Sequence, residues 1–254
     1  MKSRKTLHIV IIIIVCCFVA CAKKQTVQPP QKFDPEQSFA TANELLEKKE
    51  YEKARASFLE VKNRDQTRTF APLAQLKIAD SYVKEEEPEL AVAEYRKFLD
   101  AYPDHQYASY AQYQIAMVYF DQIESPERGY GGAAKALAEF EKLKKMFPRN
   151  PYREAVDLKI EKCRNTMAEY EYLVGTFYFK KGSYQAALGR FEGLLKEYPG
   201  YQGASDVLFF TGLSYKNLGN TEQAVEYLSL FIERYPSHKF VKDAQKELAS
   251  LRKE

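Results

Sequence analysis

The sequence predicts an all-α solenoid: five helical hairpins stacked side by side and closed by a C-terminal capping helix. Two observations carry that prediction. Between Tyr170 and Pro199, two apolar runs at helical spacing are split by Lys181-Gly182-Ser183, a turn with glycine where the first helix must stop. The same unit then recurs, in register, along most of the chain. Gly175 and Ala187 are small enough for two antiparallel helices to approach closely, and Tyr178 and Phe191 fill the groove between them and the next pair.

The register has three fixed points. Ala187, Phe191 and Tyr198-Pro199 have the spacing of Ala91, Tyr95 and Tyr102-Pro103, of Ala136, Phe140 and Phe147-Pro148, and of Ala224, Leu228 and Tyr235-Pro236. On the preceding helices Ala79/Tyr82, Ala116/Tyr119 and Gly212/Tyr215 repeat Gly175/Tyr178. Ala42/Leu45 with Ala54 and Phe58 makes a fifth copy without the Tyr-Pro ending. Single Ala-x3-aromatic pairs arise by chance in helical hairpins; four copies of a three-point register do not. This is the pattern of a tetratricopeptide (TPR) repeat, and such solenoids bind other proteins on extended surfaces.

The elements follow in order. Residues 1–20 hold a basic start, Met1-Lys2-Ser3-Arg4-Lys5, and an apolar run from Leu7 to Ala20, the layout of a signal peptide. The run is shorter than the roughly 20 residues that span a bilayer. Phe18-Val19-Ala20-Cys21 resembles the bacterial lipobox, with Phe18 in place of the usual Leu, so Cys21 is the expected acylated residue. Cys16 and Cys17 are alternatives that leave a shorter run, and an uncleaved anchor is another. Ala22 after the cysteine fits, by analogy, a lipoprotein sent to the outer membrane.

Residues 21–35 make an acylated cysteine and a polar, proline-containing tether, which reaches at most about 45 Å. Helices are expected from Pro35-Glu36 onward. Repeats one to three (residues 36–150) form an N-terminal half, and repeats four and five with the cap (residues 151–254) a C-terminal half. In repeat three, Ala116 to Ala136 spans 20 positions where Ala79 to Ala91 spans 12, and the surplus, residues 121–132, is rich in turn residues. A projecting loop is expected there. Residues 151–170 contain neither Gly nor Pro after Pro151, so the first helix of repeat four should run to about 30 residues. Phe240, Val241, Ala244, Leu248 and Leu251 give the cap its one apolar stripe.

Composition excludes several functions. The formal charge of +3 comes from Lys2, Arg4 and Lys5; without these three of its 38 basic residues the chain balances its 35 acidic ones. With no net charge on the rest of the chain, nucleic acid is not an expected partner. There is no Gly-rich phosphate loop and no Ser/His/Asp or Cys/His order. His105 and His238 each follow a Tyr-Pro and are expected to be solvated turn residues. With Cys21 acylated, Cys163 is expected to be a half-buried small hydrophobe. No catalytic residue, metal or cofactor is expected.

Binding is another matter. The position three before each Gly/Ala reads Phe39, Leu76, Tyr113, Tyr172 and Phe209, on the helix expected to line the concave wall. Asn43, Asp80, Met117 and Phe120 lie one turn on. Core packing between repeats is expected to use other positions, leaving this row for a ligand. The candidate peptide-binding set is Phe39, Asn43, Leu76, Asp80, Tyr113, Met117 and Phe120. TPR domains that hold acidic peptide tails use a Lys/Asn clamp, of which Asn43 alone is present.

Taken together, the lipobox, short tether, five repeats, enlarged third repeat and extended fourth helix resemble the BamD family, TPR lipoproteins of the outer-membrane β-barrel assembly machinery. The most specific segments are Met167-Ala168-Glu169-Tyr170-Glu171-Tyr172, Phe177 to Gly182, and Arg190-Phe191-Glu192-Gly193. The third insertion departs from the family's Asp-Arg-Asp run, reading Pro126-Glu127-Arg128-Gly129-Tyr130. The resemblance implies a lipid-anchored scaffold without catalysis on the periplasmic face of the outer membrane, alongside other assembly lipoproteins. It implies that the C-terminal repeats hold the BamA-type barrel subunit, with Arg190 and Glu192 on the facing side. It also implies that the N-terminal repeats receive unfolded outer-membrane proteins through their terminal aromatic signal. The competing reading is another periplasmic TPR lipoprotein, such as a pilus pilotin or a cell-envelope division coordinator.

Overall fold

The computed structural model describes residues 32–252; Cys21, the signal segment and most of the tether lie outside them. Among the described residues eleven helices follow one another: α1 (Pro35–Glu47), α2 (Tyr51–Arg64), α3 (Ala71–Lys84), α4 (Pro88–Ala101), α5 (Ala108–Asp121), α6 (Pro126–Met146), α7 (Arg153–Lys180), α8 (Tyr184–Glu197), α9 (Ala204–Asn217), α10 (Thr221–Arg234) and α11 (Val241–Leu251). Each packs on its neighbours in sequence, and α7 also reaches α9. These are the five hairpins and the cap that the register predicts: a TPR-type, all-α solenoid whose core runs on from hairpin to hairpin.

Small residues set the spacing. Ala42, Ala54, Ala79, Ala91, Ala116, Ala136, Ala187 and Ala224 have no exposed surface, and the partner side chains Phe58, Phe140, Phe191 and Leu228 are equally enclosed. Where the first helix carries glycine, the approach is closer still. A Cβ on Gly175 would lie 2.4 Å from Phe191 Cε1, and one on Gly212 2.7 Å from Leu228 Cγ.

Four of the five turns within hairpins, all but that of repeat three, share one left-handed position. It is Gly182 (φ 75°) in repeat four and Gly219 (φ 77°) in repeat five, but Lys49 (φ 62°) in repeat one and Glu86 (φ 62°) in repeat two. The left-handed backbone favours glycine, because a Cβ crowds the neighbouring carbonyl there. Lys49→Gly and Glu86→Gly should therefore each stabilise the chain by about 0.5–1 kcal/mol. A thermal melt should show a rise of about 1–4 °C for each, and a fall would contradict this account of the turns.

The turns between repeats follow a five-residue rule. From the residue that ends one hairpin to the residue that opens the next, Tyr102 leads to Tyr107, Phe147 to Tyr152, Tyr198 to Gly203 and Tyr235 to Phe240. Repeat one obeys the spacing with Asp65 leading to Phe70. Asp65 is 6% exposed and accepts from the Thr67 hydroxyl (2.6 Å) and from the amides of Thr67 (3.0 Å), Phe70 (2.6 Å) and Ala71 (3.0 Å). Burial pushes its pKa up, but these hydrogen bonds outweigh burial and hold it below the ordinary carboxylate value. A depressed folded-state pKa stabilises above the unfolded value near about 3.9, and that stability is lost as pH falls through the folded one. Asp65→Asn should therefore cost about 2 kcal/mol at neutral pH and progressively less below about pH 4. Denaturant melts at the two pH values would check this, and an undiminished difference at low pH would count against it.

Two expectations need correction. Residues 121–132 are not a projecting loop: only a short link separates α5 from α6, and α6 begins at Pro126 with Ser125 extended before it. Its glycines let the extra turns dock instead of breaking the helix. Gly129 is buried, its Cβ position 2.9 Å from Ile123 Cγ2, and Tyr130 meets Tyr170 at 5.1 Å between ring centroids. Nor are the two histidines merely solvated. His105 packs edge-on to Phe98 (5.6 Å) and accepts from the Tyr107 amide at Nδ1 (3.2 Å). His238 packs edge-on to Phe231 (5.3 Å), with Nε2 3.0 Å from Asp206. The long first helix of repeat four is present as α7, 28 residues packed on both α6 and α8.

Candidate functional site

Contrary to the expectation from sequence, the row of residues three before each small position does not stand clear of the core. Each ring packs into the stack, Phe209 buried and Phe39, Tyr113 and Tyr172 half-buried. On one side it meets an aromatic of its own second helix: Phe39 and Phe58 at 5.5 Å, Tyr113 and Phe140 at 6.3 Å, Tyr172 and Phe191 at 6.4 Å, Phe209 and Phe231 at 5.5 Å between centroids. On the other it meets the aromatic that opens the next repeat. Phe39 reaches Phe70 (5.5 Å), Tyr113 stacks on Tyr152 (4.2 Å), and Phe209 stacks on Phe240 (4.6 Å). Gly203 has no ring to offer, and Tyr201 covers it and meets Tyr172 (6.3 Å) instead.

Repeat two breaks this seam. Its row residue is Leu76, too small to reach the opening residue of the next repeat, and that residue, Tyr107, is left 42% exposed. A cavity of about 340 Å³ takes the place of the missing ring. Phe39, Leu73, Leu76, Tyr107, Tyr110 and Tyr152 form its apolar walls, and Lys77 and Asp80 its polar ones.

Asp80 is already engaged. Its Oδ1 accepts from the hydroxyls of Tyr95 (2.7 Å) and Tyr110 (3.0 Å), and its Oδ2 lies 3.3 Å from the Lys77 ammonium. Burial, and then the Asp80 charge, push both phenols far above their ordinary pKa, so they remain donors. Of the candidate set, Phe39, Leu76 and Asp80 come together at this cavity. Asn43 instead donates to the Phe39 carbonyl (2.9 Å), Tyr113 lies against Tyr152, and Met117 packs in the cluster around Phe140. Phe120 lies edge-on to Phe140, with Lys159 (4.4 Å) and Lys162 (5.3 Å) over its ring. Sequence reasoning missed Tyr107, Tyr110, Tyr152 and Lys77. The signal for Tyr107 and Tyr152 was available in the five-residue spacing from Tyr102 and Phe147.

Arg190 and Glu192 lie on α8. Arg190 is exposed and its Nη1 pairs with Glu171 (2.9 Å), a hydrogen bond that raises the pKa of the guanidinium further. The pair borders a second cavity, about 480 Å³, floored by Ala186, Gly189 and Gly193. Among the described residues, nothing beyond the helix's own backbone lies within 4 Å of a Cβ placed on either glycine, so the helix face is bare there. Glu192 turns the other way and accepts from the Tyr215 hydroxyl on α9, a hydrogen bond that with burial pushes that phenol up to about 12. Its carboxylate serves the junction of repeats four and five.

Cys163 is fully enclosed, and burial pushes its thiol up to about 11 against the opposing pull of Lys159 and Lys162. A thiol so held is a packing group, not a nucleophile.

Among the described residues no helix is long and apolar enough to cross a membrane. Curated relatives carry the name outer membrane protein assembly factor BamD. That of Neisseria meningitidis serogroup A is 25% identical over 239 residues, covering 89% of this chain and 90% of its own. That of Rickettsia prowazekii is 29% identical over 196 residues (77% and 78%), and that of Caulobacter vibrioides 23% over 250 (97% and 82%). The profile of the YfiO family, described as outer membrane lipoprotein, matches residues 31–227. Spanning four of the five hairpins and part of the fifth, that match makes the chain a member of the YfiO family of outer membrane lipoproteins.

Proposed function

We propose that the chain is a non-catalytic scaffold of the outer-membrane β-barrel assembly machinery, anchored by an acylated Cys21 to the periplasmic face of the outer membrane. On this reading repeats one to three receive unfolded outer-membrane proteins, and repeats four and five hold the BamA-type barrel subunit. The curated relatives, named as assembly factors, support the general role. One observation carries the client half: a ring is missing from an otherwise continuous aromatic seam, and a cavity walled by Phe39, Tyr107 and Tyr152 stands in its place. A client aromatic inserted there completes the seam as Tyr113 does one repeat later. On this reading Lys77, which pairs with Asp80 at 3.3 Å, also supplies the cation for a carboxylate at the client's end.

The test fills the slot from within. Leu76→Phe restores the ring that the other repeats carry, so the fold should persist. Cross-linking of the full chain to a peptide ending in phenylalanine should fall about tenfold, the loss of one well-stacked aromatic contact. Tyr107→Ala, which removes an exposed wall, should act in the same direction. Unchanged cross-linking in a folded Leu76→Phe chain would sink this placement of the client.

A further inference from the structure

We propose that the turn between α6 and α7 is a second membrane contact, a basic patch that lies on an anionic lipid surface. The proposal rests on the reading that the chain is tethered at the outer membrane. Four cations, Lys142, Lys145, Arg149 and Arg153, are exposed around this turn, and no carboxylate of the described chain pairs with any of them. Their neighbours behave differently: Lys144 is held by Asp157 (2.6 Å) and Arg164 by Glu141 (2.8 Å). Between 142 and 158 the one other carboxylate is Glu154. Two large apolar side chains stand in water beside the patch, Met146 at 50% and Leu158 at 69% exposure. Cations interleaved with exposed apolar groups suit a lipid headgroup layer, where charge draws the patch in and the apolar groups enter behind it.

The fold's own electrostatics do not call for this charge. Lys144 and Lys145 suit the carbonyl end of α6, but Arg149 precedes and Arg153 opens α7, at the end where a helix favours anions. An external anion accounts for them.

The patch lies on the edge at which the described chain begins. Consecutive helices joined by short turns run antiparallel, so the start of α1 and the turns between repeats share one edge of the solenoid. The tether leaves from that edge at Pro35, and the α6–α7 turn is the third inter-repeat turn along it. The other edge carries the turns within hairpins, acidic in repeat two at Glu86, Glu87 and Glu89 but mixed elsewhere. Lys48 and Lys49 stand there in repeat one and Lys180 and Lys181 in repeat four, while Glu85 and Glu124 are paired with Arg55 and Arg128. An anionic surface attracts the first edge at this turn and repels the second at Glu86, Glu87 and Glu89.

The test uses the full chain with nanodiscs of phosphatidylglycerol and phosphatidylethanolamine, or of phosphatidylcholine alone, each doped with a lipid bearing a photoactivatable headgroup. Cross-linked peptides are mapped by mass spectrometry. Cross-links should concentrate on residues 142–158 in the anionic discs. They should fall about tenfold in phosphatidylcholine, and equally at about 0.5 M salt, where screening shortens the reach of the charges to a few Å. The chain carrying Lys142→Gln, Lys145→Gln, Arg149→Gln and Arg153→Gln should show the same loss with its circular dichroism unchanged. Each pair alone (142 with 145, 149 with 153) should give about half of it on a logarithmic scale. Cross-links as frequent on 85–89 as on 142–158, or surviving all four replacements, would overturn the proposal. So would loss of an acidic protein partner from the variant with its lipid cross-links intact. The anchor is judged separately: a chain that leaves the discs at high salt has no acyl tether, while its low-salt cross-links still decide the patch.

Discussion

Gly212→Leu is expected to lower the melting temperature by about 5–10 °C. The reason is the distance between α9 and α10. Even the first carbon added at Gly212 would meet Leu228 Cγ at 2.7 Å, Cδ2 at 2.9 Å and the Leu228 amide nitrogen at 3.2 Å. A side-chain tip yields cheaply; a branched carbon next to its own backbone, with no exposed surface, does not. The helices must move apart, and overpacking of this kind costs about 1–3 kcal/mol. Gly175→Leu should behave likewise, because its first carbon falls 2.4 Å from Phe191 Cε1, and Phe191 is itself hemmed in by Tyr172 and Phe210. Since each hairpin is stabilised by its immediate neighbours, the damage should stay local. Hydrogen exchange should quicken on α9, α10 and α11 in the Gly212 variant and change least on α1 to α4. An unaltered melt would mean that the α9–α10 spacing is wrong.

The same distances show what the sequence makes legible. A hairpin announces itself locally: small residues recur at the crossing points, large ones opposite them, and the spacing survives any substitution that keeps volume. Ala79/Ala91 and Gly175/Ala187 are therefore readable without coordinates. The insertion in repeat three misleads for a reason just as physical. Gly129, Gly131 and Gly132 resemble turn residues in composition, yet Gly129 is glycine because Ile123 occupies the space of its side chain, and the helix runs straight through. Contacts across repeats are the least legible. That Phe39, Tyr113 and Phe209 each lean on the opening aromatic of the next repeat requires two repeats to be placed at once. The slot beside Leu76 is harder again, because what matters there is a ring that is absent. Glu192 shows the same limit: close to Arg190 in sequence, it points to the opposite side of α8 and serves Tyr215.

The last expected result separates partner binding from fold at Arg190. Glu171 and Arg190 occupy positions that hold Gln75 and Glu94 in repeat two, and Gln112 and Glu139 in repeat three. In those repeats the glutamine amide bridges to the glutamate's carbonyl (3.1 Å) and carboxylate (2.8 Å), with the same two distances in both. Repeat four replaces that neutral-to-anion pair with a salt bridge of 2.9 Å and presents the cation outward, over a helix face left bare by Gly189 and Gly193. Arg190→Glu alone would set two carboxylates against each other, with Glu171 only 18% exposed, and any lost binding would be confounded with local unfolding. Glu171→Gln combined with Arg190→Glu avoids this, because it rebuilds the glutamine–glutamate hydrogen bond of repeats two and three, though not the cations, Lys97 and Arg96, that also hold Glu94 and Glu139 there. The double variant should melt within about 5 °C of the parent. The glutamine amide meets the glutamate as in repeats two and three, but the glutamine Oε1 is buried there without a partner among the described residues, and Lys97, which holds Glu94, has only Gly193 as its counterpart. On the proposed reading its co-purification with the barrel subunit should nonetheless fall at least about tenfold, because the outward cation at 190 is lost. The glutamate that replaces it turns in toward the new glutamine at 171 as Glu94 and Glu139 do toward theirs, their side chains 17% and 14% exposed. Cross-linking of an aromatic-ended peptide at the Leu76 slot should be untouched. A folded double variant that still holds its partner would remove Arg190 from the interface. One that loses partner and peptide together would end the division between a client half and a scaffold half.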